Sequence, residues 1–93
     1  MDVEISTDPA RLDVELIHRF LSEQSYWARG VPREIVERAI ANSIPFGVYL
    51  GQAQIGFARV VTDRATHAWL ADVFILDEYR GRGYGKALVA AIL

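Results

Sequence analysis

Leu12, Leu16, Ile17, Phe20 and Leu21 recur at the spacing of one helical face. Thr7 or Asp8 stands where a helix cap belongs, and Pro9 suits the first helical position, so the spacing predicts a helix over about 9–24. Arg11 and Glu15, then Glu15 and Arg19, fall at i,i+4 on its wet side, where opposite charges meet. Ile35, Val36, Ala39 and Ile40 repeat the pattern in a second helix, which starts at Pro32 and ends by Asn42-Ser43-Ile44-Pro45. Ser25–Gly30 between them reads as a loop carrying Tyr26, Trp27 and Arg29. The pattern then changes to apolar runs of strand length: Phe46–Leu50, Ala53–Thr62 and His67–Leu76. Gly51-Gln52 suits a tight hairpin turn, and Asp63-Arg64-Ala65-Thr66 makes a second turn. Val3–Ile5 is a candidate edge strand, and a last helix runs from about 83 onward. The order β-α-α-β-β-β-α predicts an α/β (α+β) fold with a mainly antiparallel sheet, as a single domain over 1–93.

Ninety-three residues support one domain with a modest core. The apolar fraction, 52%, is more than so small a body readily hides, which implies a partner surface or a missing piece of the same fold. The chain has no cysteine, so disulfides, thiolate chemistry and cysteine-based metal sites are excluded. Its two histidines, His18 and His67, lie far apart in sequence, and no metal site is expected. His18 falls between polar positions of the first helix and reads as solvated; His67 reads as a surface residue of its strand. A net charge of -2 argues against a nucleic-acid-binding surface. No apolar stretch is long enough to span a bilayer and no apolar leader is seen, so the chain reads as cytoplasmic with no membrane partner.

The segment with the most chemical content is Arg80-Gly81-Arg82-Gly83-Tyr84-Gly85, set between an apolar strand and a helix. Glycines let the backbone take φ > 0 and approach a ligand closely. Successive N–H groups then converge at the positive end of a helix, and the arginines add fixed charge. A diphosphate is the natural occupant. The dinucleotide fingerprint G-x-G-x-x-G fails, because its third glycine would fall at Lys86 or Leu88. The P-loop pattern fails as well, with Arg80 at its first glycine position and Ala87 at its Ser/Thr position. Arg-x-x-Gly-x-Gly, at Arg80, Gly83 and Gly85, fits.

With this turn placed after Val73–Tyr79, the chain resembles the GNAT family of N-acetyltransferases, element by element over nearly its whole length. The resemblance implies acetyl-CoA as co-substrate. It implies that Arg80, Gly81, Arg82, Gly83, Tyr84, Gly85 and Lys86 hold the pyrophosphate, mainly through main-chain N–H groups. It also implies that main-chain groups of Val73, Phe74 and Ile75 meet the acyl arm, and that a primary amine attacks directly. Relatives continue with a further strand, a helix and a closing hairpin, so the chain is expected to be truncated before the fifth strand. The strand at 67–76 would then lie unpaired at a sheet edge, an association hazard that predicts a homodimer through that edge; the other outcome is a fragment of a longer acetyltransferase. The alternative to catalysis is a half-domain that binds CoA or self-associates without turnover.

A lysine-type ammonium has a pKa of about 10.4, so an amine acceptor must lose a proton before it attacks. Asp72, a carboxylate inside an apolar strand, is the candidate catalytic base. If the Asp63–Thr66 turn closes symmetrically, Phe57 faces Asp72 and Arg59 faces Leu70, which puts Arg59 diagonally within ion-pair reach of Asp72. That structural pairing is favoured over the base. The glutamate that serves as base in histone-type relatives is Trp69 here. The tyrosine that serves relatives as general acid lies beyond residue 93, and Tyr79 and Tyr84 read as packing. In relatives the loop holding Tyr26 and Trp27 borders the acceptor site; Trp27 either stacks on a bound group or staples the two helices.

Overall fold

Two aspartates divide the first predicted helix. In a computed structural model describing residues 3–93, Asp8 Oδ1 accepts from the Ala10 N–H at 3.0 Å and holds a single 3-10 turn, Pro9–Arg11. Leu12 is extended, and Asp13 Oδ1 then accepts from the Leu16 N–H at 3.1 Å to start α1, Val14–Glu23. The helix expected over 9–24 is therefore a turn followed by a helix, because a second capping residue follows the first. α2 runs Arg33–Ala41 behind Pro32, and α3 runs Tyr84–Ile92.

The strands are β1 (Val3–Ser6), β2 (Ile44–Leu50), β3 (Ala53–Thr62) and β4 (Ala68–Ile75), in one antiparallel sheet of order β1-β2-β3-β4. β2 begins earlier than predicted and contains Pro45, which lies past the end of the β1 pairing at Gly47. A proline is tolerated where the ladder has only one neighbour.

Alternation sends consecutive strand residues to opposite layers. Phe57 and Phe74 join Ile17, Phe20, Leu21, Val36 and Ile40 under α1 and α2. Ala58 and Ile75 join Val48, Ile55, Tyr84 and Leu88 under α3. Phe20 stacks on Phe74 with ring centroids 3.9 Å apart. Phe57 and Leu88 are fully buried, each contributing about 1.5–3 kcal/mol by leaving water.

The β3–β4 register departs from the symmetric expectation. Thr62 pairs with Ala68 and Arg59 with Ala71, whereas Phe57 pairs with Phe74. The expected pairs, Phe57 with Asp72 and Arg59 with Leu70, do not form. An extra residue is accommodated in β4 as a bulge, and Asp72 there has a left-handed φ of 54°. The outer edge of β4 has no partner strand among the described residues.

Candidate functional site

The end of β4 is locked before the glycine turn begins. Leu76 N–H donates to the Ile55 carbonyl at 2.8 Å, and a 3-10 turn follows over Asp77–Tyr79. Arg80 folds back on this corner. Its Nε donates to the Ile75 carbonyl at 2.9 Å and its Nη1 contacts Asp77 Oδ1 at 2.7 Å. The Arg80 guanidinium thus ties the turn to the strand.

Gly81 and Gly83 then take φ of 80° and 82°, the left-handed region in which an L side chain is strained. Gly83 caps α3 without a side-chain hydrogen bond, and the first helical donor is the Ala87 N–H, 3.1 Å from the Gly83 carbonyl. Among the described residues, the N–H groups of Gly81, Arg82, Gly83, Tyr84, Gly85 and Lys86 donate to nothing. A Cβ placed on Gly81 or Gly83 would meet no atom within 4 Å, so the space over the turn is open. A cleft of about 330 Å³ lies there, lined by Val73, Phe74 and Ile75 and by Tyr79–Gly81 and Gly83–Gly85. Tyr84 is buried with Leu88, while Arg82 and Lys86 are exposed, Arg82 lying 5.7 Å from the centre of the Tyr79 ring. Six unclaimed donors at the positive end of a helix, beside a cleft that is open over Gly81 and Gly83, could hold a diphosphate. Of the predicted residues, Val73–Ile75, Arg80, Gly81 and Gly83–Gly85 line this one cleft, while Arg82 and Lys86 lie exposed outside its lining.

A second, larger cleft of about 710 Å³ opens between the loop after α1, helix α2 and strand β4. Asp72 sits on its floor. Asp72 Oδ2 contacts Arg59 Nε at 2.6 Å, and Asp72 Oδ1 accepts from the Trp27 indole N–H at 2.8 Å. The ion pair expected from sequence forms despite the changed register, because the bulge turns Asp72 toward the face that Arg59 occupies. Through its bond to Asp72, Trp27 pins the loop to the sheet. Tyr26 packs edge-on against Trp27 at 5.3 Å and is 86% exposed at the rim.

Ser25 shapes this loop and has no signature in sequence beyond its place after a helix. It is buried, donates to the Leu21 carbonyl at 2.6 Å and accepts from the Ala28 N–H at 3.1 Å. His18 is half-buried rather than solvated: its Nε2 donates to the Val31 carbonyl at 2.9 Å, because the loop folds back over α1. His67 is exposed, beside Thr66 Oγ1 at 2.9 Å, and lines neither cleft. Among the described residues, no three His, Asp or Glu side chains are grouped to hold a metal ion. No helix of the described residues is long and apolar enough to cross a membrane.

Residues 14–93 match the model of the acetyltransferase (GNAT) family. A candidate acetyltransferase of Gibberella zeae is 34% identical, over 91% of this chain and 59% of its own length. A crystal structure of a candidate GNAT acetyltransferase from Xanthomonas campestris pv. campestris is 51% identical with a TM-score of 0.95, over 97% of this chain and 63% of that one. A structure of a candidate acetyltransferase from meticillin-resistant Staphylococcus aureus is 26% identical with a TM-score of 0.74, over 97% and 65% of the two chains. The chain thus spans about three-fifths of the length of the relatives it matches.

Proposed function

Because the chain belongs to the acetyltransferase (GNAT) family, we propose that it binds acetyl-CoA and transfers the acetyl group to a primary amine by direct attack, in the cytoplasm. The observation that carries this reading is the row of unclaimed N–H groups from Gly81 to Lys86. These donors hold the diphosphate, with Arg82 and Lys86 adding charge at the rim. Arg80 keeps the turn in register with β4. Main-chain groups of Val73, Phe74 and Ile75 position the acyl arm, in the manner of oriented donors that stabilise developing negative charge. The co-substrate supplies an activated thioester whose thiolate, with a pKa of about 8.5 by analogy with Cys, leaves readily.

The acceptor lies in the larger cleft, bordered by Tyr26 and Trp27. Asp72 already accepts from Arg59 and Trp27, which favours a positioning role over that of a base. Asp72→Asn separates the two: loss of a general base costs about a hundredfold or more in kcat, whereas a positioning role moves KM with kcat nearly unchanged. The unpaired edge of β4 carries exposed Trp69 and Leu70, which supports a homodimer joined there.

Acetyl-CoA-dependent release of free thiol across a panel of amines tests turnover. Thiol release above the amine-free rate is expected; CoA binding without it leaves the non-catalytic alternative. Calorimetry with CoA, dephospho-CoA, ATP and NAD tests the ligand class. CoA is expected to bind tightest, and equal or tighter binding of ATP or NAD overturns the assignment.

A further inference from the structure

The larger cleft carries information about the acceptor. Its volume of about 710 Å³ lies in the range of small-molecule sites. Its walls are apolar, from Leu21, Val31, Ile35 and Leu70, with Trp27 and Trp69 as aromatic surfaces. The charged residues lining it are Arg59 and Asp72, which contact each other at 2.6 Å and are only 20% and 14% exposed. Their charges cancel. Among the described residues, no lining carboxylate is left over for a second ammonium.

We propose, resting on the acyl-transfer reading above, that this cleft takes a monoamine with an aromatic or branched apolar body, to the exclusion of polyamines and amino sugars. The apolar walls accept the body and the fixed Trp27 ring offers it a face to stack on. Once a bound amine and co-substrate exclude water from the cleft, these walls disfavour the ammonium form, so desolvation lowers the acceptor's pKa and releases the neutral nucleophile without a strong base. This accounts for a cleft whose one lining carboxylate among the described residues is already paired. A polyamine would need further carboxylates, and an amino sugar would need polar partners for its hydroxyls.

The chain has two tryptophans, and both line this cleft. Intrinsic tryptophan emission therefore reports on it directly, whether or not the chain turns over. The test titrates the 93-residue chain with 2-phenylethylamine, isoamylamine, putrescine, spermidine and glucosamine. A saturable emission change is expected with the first two, at concentrations at least tenfold below any response to the others. The proposal is overturned if putrescine, spermidine or glucosamine saturates at an equal or lower concentration, or if neither apolar amine alters the emission. Ile35→Glu adds a carboxylate at a wall position that is 43% exposed, where the fold tolerates it. It is expected to weaken 2-phenylethylamine at least tenfold and to strengthen putrescine. A folded Ile35→Glu chain with both affinities unchanged contradicts the proposal. A separate CoA titration keeps the two readings apart: CoA binding without apolar-amine binding removes the substrate class alone, and failure to bind CoA removes the acyl-transfer reading.

Discussion

Two turns of this chain each follow a long strand and each pass through the left-handed region, yet they treat their N–H groups in opposite ways. After β3, Arg64 has a φ of 63°. Asp63 Oδ1 accepts from the N–H groups of Ala65, Thr66 and His67 at 2.9, 2.9 and 3.0 Å, and Asp63 Oδ2 accepts from the Thr66 hydroxyl. These donors, the His67 N–H foremost, hold the Asp63 carboxyl well below the usual carboxylate range. After β4, the left-handed residues are Gly81 and Gly83, and no side chain takes the amides that follow. Asp77, just upstream, is occupied by Arg80. The first turn contains its own anion; the second leaves its donors without an internal acceptor. Backbone shape alone does not make a receptor. What makes one is a row of donors that the chain declines to satisfy.

The contrast can be broken most sharply at Gly83. Gly83→Val forces a β-branched side chain into φ of 82° and into the open space over the turn. We expect CoA affinity to fall about a hundredfold, the equivalent of two charge-assisted hydrogen bonds of about 1.5 kcal/mol each. The circular dichroism spectrum should remain that of a folded chain; normal affinity in a folded variant refutes the turn assignment. Gly81→Asp builds the Asp63 solution into the second turn, since aspartate tolerates the left-handed region and reaches the following amides. CoA affinity should drop about tenfold or more by calorimetry, with less loss for Gly81→Asn.

Asp63→Ala makes the reverse change. The melting temperature should fall by about a few degrees, with CoA affinity unaltered. Because the folded-state pKa of Asp63 is depressed, its stabilisation is present above the ordinary value of 3.8 and is lost as pH falls through and below it. The gap in melting temperature between the wild type and Asp63→Asn should thus be constant near neutrality and close in acid. The smallest effect is expected at Trp27. Trp27→Phe removes the donor to Asp72 and should cost about 0.5 kcal/mol in urea unfolding while sparing CoA binding.

Hydrophobic spacing and turn residues were enough to order the elements, because Pro9, Pro32, Gly51 and the Asp63 turn punctuate runs of clear period. The glycine turn was legible because its chemistry is local: strand, glycines and helix follow one another without interruption. Three features were not legible. The break at Leu12 and Asp13 was hidden because Leu12 also suits the helical face. The bulge at Asp72 was hidden because any L residue there predicts plain alternation, and its left-handed φ follows from packing on both layers. The Trp27–Asp72 bond spans 45 positions and leaves no local mark. The Arg59–Asp72 pair forms despite the different register because the bulge turns Asp72 toward the face that Arg59 occupies.

Amide chemical shifts followed by NMR during a CoA titration show which main-chain donors meet the diphosphate. The largest displacements should belong to Gly81 through Lys86, with Ala65, Thr66 and His67 unmoved. Unshifted amides in the glycine turn at saturating CoA, or displacements centred elsewhere, contradict the diphosphate assignment.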